Sequence, residues 1–548
     1  MTLILGVYCG HDAHFCLLRD GELTHHYAAD RWTRLKHSAG WRESVLETML
    51  RDANVSWMDI DAVACGGNRW EAEEKTSDLY DHLAVANEKF FGYIQGAKSP
   101  SHIAHNASPE ERMLEFEVTW RRHTVRMFQI DHHLAHAAQA YYTGPFDEAL
   151  TCSFDGGGDG AFMLTAIGGG NKLRDLEYND GNIWPNRPAP GNLWSWAIRD
   201  LYQLPGGSMD GEGKIMGHAA YGTPRPDFVA TMDTLIRRGY EPSSALMINE
   251  FNRLKGQIDT ADFNSQDLMD LSASLQQATE NLMIGVINRR ATSTGLNKIT
   301  LSGGCAYNCC ANGAIFQRYP KVFVSNCPND GGLAVGAVLL VWHHVMGNPF
   351  HGVPAFNPFK GAGEGECEDP RIADQVVDDL IAGRLVAWCN GRAENGNRAL
   401  GHRSILADPR NQNVKDLINS KVKKREWFRP FAPSALGHWT GYAEGGHVPP
   451  SNYMSFAIPM VGSWAKLLPG VVHVDGTCRP QVVHREGNEI YWEIINRFHQ
   501  ATGVPMVLNT SLNIQEPICE TAKQARATFN RSLMDVLYVN GVRSARSK

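Results

Sequence analysis

The sequence predicts an α/β protein made of a duplicated first domain and a separate second module. Three observations predict it. A strand-turn-strand opening occupies residues 3–27, and a similar one recurs at 149–176. A stretch rich in Gly and Pro at 350–370 reads as a linker. Beyond it the hydrophobic pattern restarts, with helical periodicity at 370–383 and an apolar strand at 385–388. The expected division is 1–350, a linker over 351–369, and a second module over 370–548.

A chain of 548 residues exceeds one ordinary core. With 43% apolar and 20% charged residues, its composition is that of a globular protein. A net charge of −7 argues against a nucleic-acid-binding surface and leaves room for a local basic pocket. Twelve cysteines are too thinly spread for a disulfide scaffold and are expected to be reduced. The N-terminus lacks a basic signal-peptide region, and the longest apolar stretch, 333–342, is too short for a bilayer. The expectation is a soluble cytoplasmic protein with no nucleic-acid or membrane partner. Its oligomeric state is left open.

In chain order, the first opening is an apolar strand at 3–8, the polar turn Gly10-His11-Asp12-Ala13-His14, a strand at 15–18, a turn at Asp20-Gly21 and a strand at 23–27. Tyr8, Trp32 and Trp70 either stack on a ring-bearing acceptor or belong to the core. An alternating strand at 125–130 then leads into Asp131, a natural cap for the helical stretch that follows. His132 and His136 lie one turn apart on one helix face, a spacing that can offer two nitrogen ligands to a metal. Two polar residues at the start of a partly buried helix explain the same pattern. The second opening carries Asp155-Gly156-Gly157-Gly158-Asp159-Gly160, where amides could approach a phosphate and two carboxylates a cation. A hairpin rich in Gly and Asp is the alternative. No P-loop pattern is present.

Further on, Gly211–Gly217 mixes charge and Gly like a cleft wall, and a helix is expected over 268–290. The strand at 298–301 ends in Ser302-Gly303-Gly304-Cys305-Ala306-Tyr307-Asn308, a candidate phosphate or ribose site that includes Gly304 and Asn308. Cys305, Cys309 and Cys310 lack a second pair at zinc spacing and read as small buried residues. Asp330 opens the apolar helix expected at 333–345, as a cap or as a ligand. The second module clusters Arg398, Arg403, Lys421, Lys423, Lys424, Arg425 and Arg429, which suggests a polyanion pocket. Its strand at 505–511 ends in Asn509-Thr510-Ser511, suited to a site at a strand's carboxyl end.

These motifs, ordered along nearly the whole chain, resemble the O-carbamoyltransferases of antibiotic biosynthesis, of the tobramycin and nodulation-factor type. The duplicated openings are themselves similar to those of the actin, Hsp70 and sugar-kinase (ASKHA) superfamily. The family pattern HxxxH matches His132 and His136. Its Asp-Gly-Gly loop matches Asp155, and its Asp-Gly-Gly-Leu-Ala-x-Gly-Ala start matches Asp330. In the second module, Arg-Ala-Leu-Gly-x-Arg-Ser matches Arg398–Ser404, and Val-Lys-x-Arg-Glu-x-x-Arg-Pro-Phe-Ala-Pro matches Val422–Pro433. Asp-Gly-Thr-x-Arg-x-Gln matches Asp475–Gln481, and Asn-Thr-Ser-x-Asn matches Asn509–Asn513. Asn397 and Trp427 stand where the family has Pro, a Gly is missing before Glu516, and His218 replaces an apolar residue.

The resemblance implies an actin-like duplicated N-terminal domain and a YrdC-like C-terminal domain. It implies a divalent metal, iron in the family, held by His132, His136, Asp155 and Asp330. It implies His11 as base on an acceptor hydroxyl, with Asp12 beside it in the catalytic pair. Lys36, Asp155, Gly304 and Asn308 would contact carbamoyladenylate. Arg398, Lys423, Arg429, Arg479, Asn509 and Ser511 would bind ATP and carbamoyl phosphate, with Mg as counter-ion. The implied activity is ATP-dependent carbamoyl transfer to a small hydroxylated natural product. The alternatives are tRNA threonylcarbamoyl transfer, against which the acidic charge weighs, and a non-catalytic ATP-binding actin-like regulator. The acceptor and its reacting hydroxyl are not legible.

Overall fold

Apolar, β-branched runs at both openings commit the chain to strands that a polar turn folds back on themselves. In the computed structural model these become β1 (Leu3–Cys9), β2 (His14–Arg19) and β3 (Glu22–Ala28). The turn between β2 and β3 uses Asp20 and Gly21, both at positive φ, as a two-residue hairpin of this twist requires. The structure describes residues 1–70, 106–120, 122–179, 188–204, 211–238, 245–353, 356–363 and 365–546. The side chain of Trp70 lies outside the described residues, as do linker residues 354, 355 and 364.

The described chain divides into two compact units. The first comprises Met1–Ala29 and His37–Phe356. It continues with β4 (Ala62–Trp70), β5 (Asn106–Ala107), β6 (Met113–Trp120), β7 (His123–Ile130), β8 (Glu148–Gly158), β9 (Ala161–Gly169), β10 (Lys172–Tyr178), β11 (Lys298–Ser302) and β12 (Lys321–Val324). One sheet runs β3-β2-β1-β4-β7-β6, the other β12-β11-β8-β9-β10-β5. In the first, β1 pairs antiparallel with β2 and parallel with β4, which pairs parallel with β7. In the second, β8 pairs antiparallel with β9 and parallel with β11, which pairs parallel with β12. Five strands of each sheet therefore repeat one topology, and this is the duplication that the paired openings predict.

Two helices follow from the same duplication. His132–Tyr142 comes directly after β7 and packs against β8, β9 and β11; Leu333–Leu340 follows β12 and packs against β1 and β4. They meet each other at Gly336, where any Cβ would stand 1.9 Å from the carbonyl oxygen of Ala135. This close approach brings the turn before the second helix to the first turn of the other. The expected helix at 333–345 keeps α geometry only to Leu340 and continues as a π-turn, Val341–Val345. The Gly-rich segment expected as a cleft wall forms the helix Glu212–Ala219. Its His218 is satisfied by Ser272 Oγ at 2.9 Å and the Phe263 carbonyl at 3.0 Å, which accounts for a polar residue at an otherwise apolar position.

The second unit comprises Asp30–Lys36 and Asn357–Lys548. Its strands are β13 (Val386–Cys389), β14 (Arg403–Ala407), β15 (Ala432–Leu436), β16 (Ile458–Pro459), β17 (Thr477–Cys478), β18 (Gln481–Val483), β19 (Met506–Ser511), β20 (Val536–Val539) and β21 (Val542–Ala545). A mixed seven-stranded sheet runs β18-β15-β19-β14-β13-β20-β21, and β16 pairs with β17. The amphipathic helices Ile372–Ile381, Glu489–Thr502 and Ala522–Arg531 pack their apolar faces on it. This is an α/β layering of helices on one mixed sheet. Among the described residues, no helix is long and apolar enough to cross a membrane.

Candidate functional site

The helix His132–Tyr142 begins where Asp131 accepts the Leu134 N–H at 3.0 Å, the predicted cap. Asp131 is in turn fixed by Arg112 at 2.6 Å and by the Tyr178 hydroxyl at 3.0 Å. The cap therefore orients the helix as well as starting it. His132 and His136 then project from one face, their ring centroids 4.8 Å apart. Asp155 arrives from the end of β8. Its Oδ2 lies 3.0 Å from His132 Nε2 and 3.8 Å from His136 Nε2. Asp330 arrives from the turn after β12, with Oδ1 3.6 Å and 3.5 Å from the same two nitrogens.

One ligand atom from each of the four lies within 4.8 Å of all the others, and all four residues are buried. Two imidazoles and two carboxylates are a donor set for a divalent first-row metal. The set fits such an ion on a further observation: among the described residues neither ring nitrogen of the buried His136 makes a well-formed hydrogen bond, Nε2 standing only at ion-pair distance from the two carboxylates. Buried polar atoms are rarely left so unless something else engages them. Electrostatics agree with this. Burial disfavours a charged His132, yet Asp330 and Asp155 outweigh it and lift its pKa to about 9. Burial works likewise against the Asp155 carboxylate, but His132 and His136 hold it well below the usual carboxylate range.

Asp330 does not take the first of its two sequence readings. The helix starts after Gly332 with no side-chain cap, so Asp330 does not serve as one. Its Oδ2 instead accepts the Tyr8 hydroxyl at 2.5 Å and stands 3.2 Å from His11 Nε2. Tyr8 is thus a buried core residue that aims its hydroxyl at the site. Asp12, next to His11 in the chain, sits at φ 59. Its Oδ1 lies 2.9 Å from His37 Nδ1, and its Oδ2 accepts from Asn329 at 3.1 Å. His37, Asn329 and Tyr8 are site neighbours that spacing does not reveal, because each reaches its partner across the fold.

The Gly303-Gly304 turn ends β11 beside Asp155, and the Gly304 N–H donates to Asp155 Oδ1 at 2.7 Å. Asn308 lies one turn on, where its Oδ1 caps the helix Cys309–Arg318 through the Ala311 N–H at 3.0 Å and accepts from Gln276 at 3.0 Å. Cys305, Cys309 and Cys310 are free thiols. Lys36 falls within the second unit.

In that unit Lys423 is buried, and its Nζ donates to Ser511 Oγ at 3.2 Å and to the Asn513 carbonyl at 3.1 Å. Burial, reinforced by Arg425 and Arg429, pushes its pKa well down. Arg425 is pushed down to about 9 by burial, by Arg429 and by Arg479. Lys423, Arg425, Arg429 and Arg479 therefore belong to one cationic cluster, with Ser511 beside Lys423. Asn509 is turned inward: its amide donates to the Ala399 carbonyl at 3.0 Å and to Ser434 Oγ at 2.9 Å, beside Arg398. Arg403 departs from the expected pocket. Its guanidinium is buried and spent on the carbonyls of Glu520, Asn390, His402, Ala362 and Gly391, so it clamps backbone and does not face an anion.

Comparison with known families names the class. The carbamoyltransferase N-terminus model matches residues 3–339 and the carbamoyltransferase C-terminus model matches 377–546. The chain belongs to the carbamoyltransferase family and is a carbamoyltransferase. It is 33% identical to Nodulation protein NolNO of Sinorhizobium fredii over 96% of this chain and 78% of that protein. It is 34% identical to Nodulation protein NolO of Bradyrhizobium diazoefficiens over 75% of this chain and 78% of that protein. Among solved structures, T. kodakarensis HypF aligns with TM-score 0.33 and 16% identity over 63% of this chain and 48% of that one.

Proposed function

We propose that the protein is an ATP-dependent O-carbamoyltransferase. The second unit makes carbamoyladenylate from carbamoyl phosphate and ATP. The first unit passes the carbamoyl group to a hydroxyl of a small natural product, in the manner of antibiotic biosynthesis. The observation that carries this reading is the gathering of His132, His136, Asp155 and Asp330 within 4.8 Å in a chain of the carbamoyltransferase family.

In the second unit, water hydrolyses carbamoyl phosphate, so that its phosphate leaves as inorganic phosphate and carbamate remains. A carbamate oxygen then attacks the α-phosphorus of ATP and pyrophosphate leaves. Both substrates are polyanions, and Arg398, Lys423, Arg429 and Arg479 supply the cations that hold them, with Mg as counter-ion. Ser511 hydrogen-bonds at the strand end, and Asn509 supports the Arg398 turn. Lys36 is assigned to carbamoyladenylate.

In the first unit, His11 takes the acceptor's hydroxyl proton as that oxygen attacks the carbamoyl carbon and AMP leaves. Asp330 orients His11, while Asp12 holds the turn through His37 and Asn329. Gly304 keeps Asp155 in place, and Asn308 stands beside the adenylate. A divalent metal held by His132, His136, Asp155 and Asp330, iron by resemblance, would supply Lewis-acid polarisation of the carbamoyl group.

The test is incubation with Mg, ATP and carbamoyl phosphate, followed by mass spectrometry. Pyrophosphate and carbamoyladenylate should appear, and candidate hydroxylated metabolites should gain a carbamoyl group. Folded, metal-replete protein that forms neither product contradicts the reading.

A further inference from the structure

The turn that carries Arg398 is tied down on both sides within the second unit. On the far side, Glu394 Oε1 accepts three backbone N–H groups, from Leu400 at 2.7 Å, His402 at 2.9 Å and Arg403 at 3.1 Å. The Leu400 carbonyl accepts from Gln481 at 2.7 Å and Asn488 at 3.1 Å, next to the Ala399 carbonyl held by Asn509. On the near side, the anchor comes from hundreds of residues upstream. Arg31 donates through its two terminal nitrogens to the carbonyls of Glu394 and Gly396, and pairs with Glu520 at 3.1 Å. Arg31 is only 4% exposed, and its segment, Asp30–Lys36, belongs to this unit.

A guanidinium is a planar fork that can bridge two carbonyls at once, and a lysine ammonium is a point donor that cannot do so in the same geometry. The two carbonyls flank Asn395, and Arg398 follows two residues after the second. A turn fixed in this way loses little freedom when an anion binds, which is how preorganisation raises affinity.

We infer that Arg31 is a positioning residue for anion binding, holding the Glu394–Gly396 limb so that Arg398 is presented ready to the phosphates of ATP. The inference rests on the reading of Arg398 as a phosphate ligand. Arg31 does not touch ATP. It acts through the turn, and the second unit's anion site is incomplete without residues far upstream of it in sequence.

The test is Arg31→Lys in the full chain, which keeps the charge beside Glu520 and removes the fork. The KM for ATP in pyrophosphate release should rise about tenfold, the worth of one charge-assisted hydrogen bond, while kcat at saturating ATP and Tm hold. Trypsin should also cut faster between Arg398 and Ala399 in the absence of ATP. A KM within about twofold of wild type, or a kcat that falls together with Tm, overturns the inference. If Arg31→Lys does not fold, Glu520→Gln, which removes the carboxylate that holds the Arg31 guanidinium, is judged by the same KM and kcat criteria. Wild type that neither binds ATP nor releases pyrophosphate defeats the functional reading instead. The inference is then decided by trypsin alone: faster cutting at Arg398 in the variant supports it, and unchanged cutting overturns it.

Discussion

Gly304 donates its backbone N–H to one oxygen of Asp155 at 2.7 Å, and the other oxygen faces His132 at 3.0 Å. The carboxylate is thus held from behind by the end of one strand while it faces a helix from another part of the chain. The preceding Gly303 makes this possible. At φ 83, a Cβ there would stand 2.1 Å from the Phe154 carbonyl oxygen.

Gly303→Ala should therefore misplace Asp155 as well as weaken the fold. Backbone strain alone costs roughly 1–3 kcal/mol. The variant should show a lowered Tm and a metal content, by elemental analysis after metal loading, well below that of wild type. Wild-type metal content in a stable Gly303→Ala protein contradicts the geometry.

The cationic cluster of the second unit predicts strong stabilisation by polyanions. Lys423, Arg425, Arg429 and Arg479 crowd one another, so Mg-ATP or pyrophosphate should raise Tm. At about one hundred times Kd the gain is about 2.7 kcal/mol. Arg429→Ala should shrink the shift, as should high salt. A wild-type Tm that ignores both anions contradicts an anion site here.

His402 predicts a pH dependence with a definite sign. Its Nδ1 donates to the Arg392 carbonyl at 2.6 Å, its ring stacks on Phe359 at 3.6 Å, and burial, partly offset by Glu394, pushes its pKa down to about 4. Unfolded histidine titrates near 6.5, so the folded state binds fewer protons between these values. Stability is then full above about pH 6.5 and falls as pH drops towards 4, by up to about 1.4 kcal/mol per unit for this group. Urea unfolding across that window should show a shallower slope for His402→Gln. An identical slope refutes the assignment.

Much of this was legible from sequence because local chemistry decides it. Helical periodicity alone puts His132 and His136 on one face, and Asp131 caps that helix as its position implies. The paired openings foretold two sheets of one topology. What was illegible are contacts made across the fold. Tyr8 reaches Asp330, and Asp12 reaches His37 and Asn329, because turn geometry aims the side chains. Arg403 looked like its cationic neighbours, since a sequence shows a charge without showing the carbonyls that will consume it. Asp330 reads equally as a cap or a ligand in sequence, and only the fold shows that it caps no helix and meets Tyr8 and His11 instead.

The central claim is that transfer belongs to the His132 cluster and activation to the second unit. Its most direct test is His132→Ala, assayed for both half-reactions with ATP and carbamoyl phosphate. The account predicts pyrophosphate release near the wild-type rate, accumulation of carbamoyladenylate, and loss of carbamoyl transfer. Loss of both half-reactions together, in a variant that remains folded, would contradict it.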